Sequence, residues 1–400
     1  MHAQVAIVGA GPAGALLAHL LSSRGIETLL IERHSDFSRE FRGEILMPSG
    51  IRALRSAGIS LDGISTSSPA RLEGYLNGQR FVDVDASSLG PLPPTAVSQP
   101  ELLEKIVALS QTSGAFELRR GASVRGLTRE SDGSISLRLA TGGADGEETI
   151  RVPYLIGADG RSSIVRKNLA PRVQKRSTPL DVVWFKMPYP KTWEEGRLRF
   201  EFGNGHLLIA VRAPEGRLQV AWVILKGTYG ELRKRGIEEW IDGMCRHADP
   251  ELAAHLRDER QDVSHPFLLD AVTDRVMGWA GPSTLLIGDA AHTMSPVGGQ
   301  GLNLALRDSI VSANVLVPAL RRGSGVDEGA RRVEALRGPE IDRIQRLAAL
   351  PPRLMMGRSP LHELARRSLA RIAALPFSGL PARRTASLFL DGVSEVELEI

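Results

Sequence analysis

The apolar residues of this chain change rhythm along its length, and the changes mark out its elements. Gln4 to Val8 is a short apolar run that stops at Gly9, the pattern of a strand buried on both faces. Ala13, Leu16, Leu17, Leu20 and Leu21 then recur at helical spacing, with Gly25 as the expected C-cap. Thr28 to Ile31 forms a second apolar run and ends in Glu32-Arg33. The first thirty residues therefore predict one strand–turn–helix–strand unit.

Beyond it the rhythm shifts toward a period of two. Residues 71 to 85 predict an antiparallel pair around Asn77-Gly78, because both central positions of a type I′ turn take positive φ. A proline-rich stretch, Pro91 to Pro94, precedes a helix expected near 99–113. Ile135, Leu137 and Leu139 alternate with polar residues, and the loop Gly142-Gly143-Ala144-Asp145-Gly146 turns the chain back in a β-meander. Tyr154 to Ile156 and Thr284 to Ile287 are again of the buried-strand type. Between them Asp181–Met187, Leu198–Phe202, His206–Val211 and Leu218–Leu225 predict a second, mostly antiparallel sheet. From about 302 onward the pattern is helical and arginine-rich.

The expected fold is α/β, with nucleotide-binding elements at both ends of an antiparallel insert. A Rossmann-like domain would comprise 1–70, 97–175 and 271–320, interleaved with a substrate-binding β-sheet domain of 71–96 and 176–270. Residues 321–400 would form a C-terminal helical region.

Composition narrows the function without naming it. Fifty Lys and Arg stand against 46 Asp and Glu, so the net charge of +4 is too small to argue for nucleic acid and mildly favours small anions. The single cysteine, Cys245, leaves no intrachain disulfide, no cysteine metal cluster and no disulfide-reductase chemistry. No apolar run approaches the roughly 18 residues of a membrane span. Met1-His2-Ala3-Gln4 leads straight into a strand without a signal core, so a cytoplasmic protein is expected.

Three glycine-rich segments, each following a strand, carry the chemistry. In Gly9-x-Gly11-Pro12-Ala13-Gly14, Gly9 permits the tight turn, Gly11 lets a pyrophosphate approach, and Gly14 lets helix and strand pack closely. The helix start beyond offers free N–H groups and the positive end of its dipole. Glu32, 18 residues after Gly14, is placed to accept hydrogen bonds from ribose hydroxyls. Gly288-Asp289-Ala290-Ala291-His292 then decides between dinucleotides. Asp289 suits the hydroxyls of a ribityl chain, and Gly298-Gly299-Gln300-Gly301 opens a helix that can face the negative charge of a reduced flavin. Such a helix start is worth about 0.3–1 kcal/mol to an anion. His292 is either a flavin-side group or a structural residue of the turn. In the third segment, Gly157-Ala158-Asp159-Gly160-Arg161 through Arg166, Asp159 could take a ribose or a backbone hydrogen bond, and the arginines could meet pyrophosphate.

Together, in this order, the three segments resemble those of group A flavoprotein monooxygenases with the p-hydroxybenzoate hydroxylase fold. Gly299-Gln300-Gly301-Leu302-Asn303-Leu304 to Arg307-Asp308 is most similar to the quinone-ring hydroxylases among them. Phe41-Arg42-Gly43-Glu44 and Met47-Pro48 resemble the family's flexible flavin-side loop. The likeness runs from residue 3 to about 320. It implies FAD, held by Glu32 with Arg33 beside it, Arg42, Gln99, Asp159, Gly160, Asp289, and the N–H groups of Leu302 and Asn303. It also implies that NADPH or NADH reduces the flavin, that O2 is taken up, and that a C4a-hydroperoxyflavin hydroxylates an aromatic or quinone-like small molecule. Pro296, Met47 and Pro48 would lie near the reactive edge. Trp184, Arg199, His206 and Trp222 are the substrate candidates, with packing or a solvent-facing strand position as the bland alternative for each. None of the four tyrosines matches the family's phenol-binding tyrosines, so a bulkier apolar substrate is expected and no catalytic base is assigned.

Rival readings are a flavin-dependent reductase of a prenyl or alkene substrate, a flavin-dependent halogenase, and a non-enzymatic flavin-binding sensor. The halogenase signature Trp-x-Trp-x-Ile-Pro is missing, with Trp222-Val223-Ile224-Leu225 its nearest echo. The arginine-rich stretch 343–384 reads either as an amphipathic helix on a membrane surface or as a helix packed on the body over the substrate mouth.

Overall fold

A computed structural model describes residues 2–38, 45–141, 146–175, 177–194, 196–203, 205–264, 266–296, 298–357, 359–373 and 390–400. The helices, in chain order, are α1 (Pro12–Ser22), α2 (Pro48–Ser56), α3 (Gln99–Gln111), α4 (Ile164–Leu169) and α5 (Tyr229–Arg235). They continue with α6 (Ile237–Cys245), α7 (Pro250–Asp258), α8 (Gln300–Arg322), α9 (Val326–Met356) and α10 (Pro360–Ala373).

The apolar runs become the centre of a six-stranded sheet. Its order is Ala280–Gly281, Thr284–Leu286, Tyr154–Gly157, Val5–Val8, Thr28–Glu32 and Phe116–Arg120, parallel except at the first pair. Val5–Val8 and Thr28–Glu32 are buried at every position, as strands covered by helices on both faces must be. The chain reverses direction across the sheet at Val5–Val8, so the crevice for a ligand opens beyond the carboxyl ends of these strands. Gly9, Glu32, Asp159 and Asp289 all fall at those ends.

A seven-stranded sheet runs Phe267–Val272, Ser177–Met187, Leu218–Leu225, His206–Arg212, Arg197–Gly203, Arg71–Leu76 and Gln79–Asp85. The early hairpin thus joins strands more than a hundred residues later in the chain, through a parallel pairing of Arg71–Leu76 with Arg197–Gly203. Asn77 and Gly78 both take positive φ at its turn, as the dipeptide predicts.

Strand alternation gives this sheet two different faces. Val183, Phe185, Leu208, Ala210, Val220 and Trp222 pack outward against Trp240, Ile241 and Met244 of α6 and Leu252 of α7. Val182, Trp184, Leu207, Ala221 and Val223 point the other way and meet Met356 at the end of α9. That helix begins in the core of the parallel sheet's domain, through Ala330, Val333, Ile341 and Ile344. The second face is therefore the inner one, turned toward the parallel sheet's domain.

The arginine-rich end packs on the body as far as it is described. Asn77 Nδ2 donates to Glu363 of α10 at 3.0 Å, and α10 lies beside the strand Gln79–Asp85. No helix among the described residues is long and apolar enough to cross a membrane. Arg358, Arg383 and Arg384 lie outside the described residues.

Candidate active site

The glycine turn between the strand Val5–Val8 and α1 is shaped by contacts a side chain would destroy. Gly9 has φ +100°, and a Cβ there would come within 2.5 Å of the Ala158 carbonyl oxygen. A Cβ on Gly14 would sit 1.9 Å from the Gly9 carbonyl oxygen. Around Gly11 there is nothing within 4 Å, so this position opens onto space where a pyrophosphate can approach. The N-terminus of α1 has no side-chain cap and no acidic residue in its first turn, which leaves its N–H groups and dipole to an anion. Pro12 and buried Ala13 complete the first turn.

Glu32 is buried, with Oε2 accepting from Ala10 N–H at 2.9 Å and Oε1 from His34 N–H at 3.1 Å. The carboxylate is thereby fixed against the glycine turn. Arg33 turns outward, donating to His34 at 3.0 Å. Gln99 opens α3 half-buried, while Arg42 lies outside the described residues.

Asp159 is held by the start of α4. It accepts from Ile164 N–H at 2.6 Å and from the Ser163 hydroxyl, capping α4. Burial raises its pKa above the usual carboxylate range, against the pull of those hydrogen bonds. Gly160 beside it takes φ +76° with open space around it. The arginines that follow do not face the glycine turn as the sequence suggested. Arg161 Nε donates to Asp289 Oδ2 at 3.2 Å, and Arg166 Nη1 donates to the Asp289 and Ala290 carbonyls at 3.2 and 3.0 Å. Arg161 also donates to the Asp270 carbonyl at 2.8 Å, so both side chains are engaged by protein acceptors around the Asp289 turn. The result is a direct link between the second and third glycine-rich segments.

Gly299 caps α8 in the left-handed conformation, φ +62°, with no side-chain cap and no acidic first turn. A Cβ on it would meet Met47 Cε at 3.4 Å, and Gly299 N–H bonds the Pro296 carbonyl at 3.2 Å. Met47, Pro48, Pro296 and the start of α8 are thus gathered together. Gly301 is surrounded by open space, and Leu302 N–H has no i−4 carbonyl to accept it within the helix, whereas Asn303 N–H is the first to reach one, that of Gly299. The Asn303 side chain does something the sequence did not suggest: it bonds Met47, Ile45 and Gly299 at once.

His292 lies inside the protein, behind the turn it follows. It is buried, its Nε2 lies 2.6 Å from Asp308 Oδ2, and its ring lies 5.1 Å from that of Trp279. The same Asp308 oxygen accepts from Gly288 N–H at 3.0 Å. Burial opposes ionisation of Asp308, but His292 and Arg337 outweigh it and hold its pKa at about 2. Arg337 and Glu340 complete this cluster, and nothing in the sequence beyond an i,i+3 spacing of opposite charges marked them.

The four substrate candidates do not form one site. Arg199 gives its three nitrogens to Glu73, Asp249 and Glu251 at 2.7, 2.6 and 2.9 Å, with Trp193 stacked 4.0 Å from its guanidinium carbon. His206 accepts from Trp222 Nε1 at 3.3 Å, and Trp222 stacks on Trp240. All three belong to the outer, helix-covered face; Arg199 pairs with Ala210 there. Only Trp184 lies on the inner face, because its strand alternation matches Val182 and not Val183. The sequence fixes the period but not which face is covered.

A glycine turn open at Gly11, a carboxylate anchored against it and a second uncapped helix start facing a gathered loop fit FAD, and they define a flavin-dependent oxidoreductase. The chain belongs to the FAD binding domain family, whose model matches residues 2–344. It is 31% identical over 390 residues to 6-methylpretetramide 4-monooxygenase of Streptomyces rimosus, spanning 96% of this chain and 91% of that one. It is 27% identical over 333 residues to 12-dehydrotetracycline 5-monooxygenase/anhydrotetracycline 6-monooxygenase of Streptomyces rimosus subsp. rimosus, covering 78% of this chain and 61% of that longer relative. Among solved structures it is similar in fold to p-nitrophenol 4-monooxygenase PnpA from Pseudomonas putida DLL-E4, with a TM-score of 0.80, 20% identity, and 98% and 99% of the two chains covered. This is an FAD-dependent monooxygenase.

Proposed function

We propose that the enzyme hydroxylates an uncharged, polycyclic aromatic or quinone-like substrate, taking electrons from NADPH or NADH. The observation that carries the substrate class is the inner face of the seven-stranded sheet. It is built of Val182, Trp184, Leu207, Ala221 and Val223, buried together with Met356, with Phe202 and Ile209 partly buried beside them. Such a wall favours a flat apolar ring system by removing its surface from water, at roughly 25 cal/mol per Å². Arg199, the buried arginine of the outer face, is already neutralised by protein carboxylates. The named relatives that act on tetracycline-type ring systems support the same class.

Bound FAD would supply the transfer of electrons from the nicotinamide to dioxygen and the activation of that oxygen. The chain's own part is binding and exclusion of water. Glu32 would hold the adenosine ribose, the Gly9–Gly14 turn the pyrophosphate, and Asp289 the ribityl chain. The first turn of α8 would stabilise negative charge on the flavin's pyrimidine edge. Met47, Pro48 and Pro296 would close the reactive edge, and Trp184 would contact the substrate. A dry edge keeps reduced oxygen from being lost as hydrogen peroxide.

The test is incubation of the FAD-loaded protein with NADPH or NADH, isotopically labelled dioxygen, and a panel of polycyclic phenols and quinones. Incorporation of one labelled oxygen atom into a ring supports the reading. Reduction of an alkene without oxygen uptake would move the enzyme to the reductases, and a colourless protein that cannot be reconstituted with FAD would reject both.

A further inference from the structure

Five buried side chains, His292, Asp308, Arg337, Glu340 and Arg307, form a continuous chain of contacts behind the turn that carries Asp289. Asp308 Oδ2 accepts from both Gly288 N–H at 3.0 Å and His292 Nε2 at 2.6 Å. One carboxylate oxygen thus grips both ends of the segment Gly288–His292. Its other oxygen accepts from Arg337 Nε at 2.8 Å. Arg337 in turn bonds Glu340 on the same helix, and Glu340 also receives Arg307 of α8.

The circuit is completed by the last ten residues of the chain. Val393 N–H donates to Glu340 Oε1 at 2.9 Å, and Arg307 Nη2 donates to the Ser394 carbonyl at 2.5 Å. Gly392 takes φ +83°, and a Cβ there would lie 2.0 Å from Arg307 Nη1, so the segment passes directly across the guanidinium. It then follows α8, where Asn314 bonds the Glu397 carbonyl at 2.8 Å and Glu399 N–H at 2.9 Å. Val393, Val396 and Leu398 pack against the flavin-domain core.

Buried charges hold a geometry only while each keeps its partners. Without residues 392–400, Glu340 loses a donor and Arg307 an acceptor, and the pair is open to water at the outer end of the chain. Arg337 is then free to follow Glu340, and Asp308 loses the partner that orients it.

We propose that residues 391–400 are a strap that sets the position of the Asp289 turn through Glu340, Arg337 and Asp308, with Asp308 as the positioning residue. The proposal rests on the FAD reading above, since Asp289 is the group it positions. The experiment strips flavin from the full chain, from a chain ending at Asp391, and from Gly392→Val. Each is titrated with FAD by fluorescence, and the visible circular dichroism of the bound flavin is recorded. Arg52→Ala, which removes the exposed contacts of Arg52 with the Asp391 carbonyl and carboxylate at 3.2 and 3.0 Å and leaves Glu340 and Arg307 untouched, is the control.

The dissociation constant for FAD rises by roughly tenfold or more in the shortened chain and in Gly392→Val, the scale of one lost charge-assisted hydrogen bond. The flavin dichroism changes with it, Arg52→Ala keeps the full chain's values, and a peptide of residues 390–400 restores the shortened chain. Unchanged FAD affinity and dichroism, with only a lower melting temperature, overturn the proposal and leave the strap as a stabilising segment. If the shortened chain is recovered unfolded, Gly392→Val decides on the same two readings. A full chain that binds no FAD is a separate result, which removes the flavin reading itself.

Discussion

Asn303 Oδ1 accepts the backbone N–H of Met47 at 2.8 Å, across 256 residues of sequence. The same amide donates through Nδ2 to the Ile45 and Gly299 carbonyls at 3.1 and 2.8 Å, so one side chain ties the Met47–Pro48 segment to the start of α8. Gly50 makes room for it, since a Cβ there would lie 2.2 Å from Asn303 Oδ1.

Asn303→Ala removes that tie and leaves the Met47 N–H and Ile45 carbonyl without their partner, at a cost of about 1–3 kcal/mol for each group left buried. Chemical denaturation should register the loss. The functional expectation is leakage: more hydrogen peroxide released per NADPH or NADH oxidised. An unchanged peroxide yield would show that the Met47 segment does not guard the reactive edge.

Gly11 and Gly14 should fail in different ways. Alanine at 14 would drive a methyl group into the Gly9 carbonyl, so Gly14→Ala lowers the melting temperature of the flavin-free protein. Alanine at 11 meets no protein atom within 4 Å, so Gly11→Ala melts like the parent when flavin-free yet binds FAD more weakly. Calorimetry on the apoproteins and FAD titration separate the two. Equal FAD affinity in Gly11→Ala would remove the pyrophosphate from this turn.

Trp184 and Trp222 sit on opposite faces of one sheet, with Val183 directly paired to Trp222. Trp222→Phe loses the hydrogen bond to His206 and some packing on Trp240, so it costs stability while leaving KM for the substrate near the parent value. Trp184→Phe changes KM or kcat. The comparison is steady-state kinetics beside denaturation for each variant, and a KM effect confined to Trp222→Phe would reverse the assignment of the faces.

Glu201 gives the outer face a pH signature. Burial and then the neighbouring Asp249 push its pKa up to about 8, with Arg199 pulling the other way. Its folded form therefore keeps a proton that the unfolded chain releases near pH 4.3, so its contribution falls as pH rises toward 8. His206 works in the opposite sense: burial and His247 lower its pKa to about 3, so its contribution rises from pH 3 to about 6.5. Between about pH 6.5 and 8 the His206 effect is complete and that of Glu201 continues, with a slope of up to roughly 1.4 kcal/mol per pH unit. Glu201→Gln should flatten the decline in melting temperature over that window. A decline identical to the parent's would place its origin elsewhere.

The sequence by itself determined the parallel sheet's framework and its cofactor. Buried strands announce themselves by unbroken apolar runs such as Val5–Val8, and the positive φ at Gly9 and the approach of Gly14 to the Gly9 carbonyl are local, so both could be read residue by residue. The same holds for the Asn77-Gly78 turn, where backbone conformation depends on two residues alone. Only the tertiary structure decided what depends on contacts between distant segments. A period of two places Trp184 and Trp222 on opposite faces but cannot say which face α6 and α7 cover. Nothing near Arg161 indicates that Asp289 will be its partner, nothing near Asn303 points to Met47, and nothing near Glu340 points to Val393. Hydrogen-bond partners of buried polar groups are set by which chain segment arrives beside them, and that is a property of the packed fold.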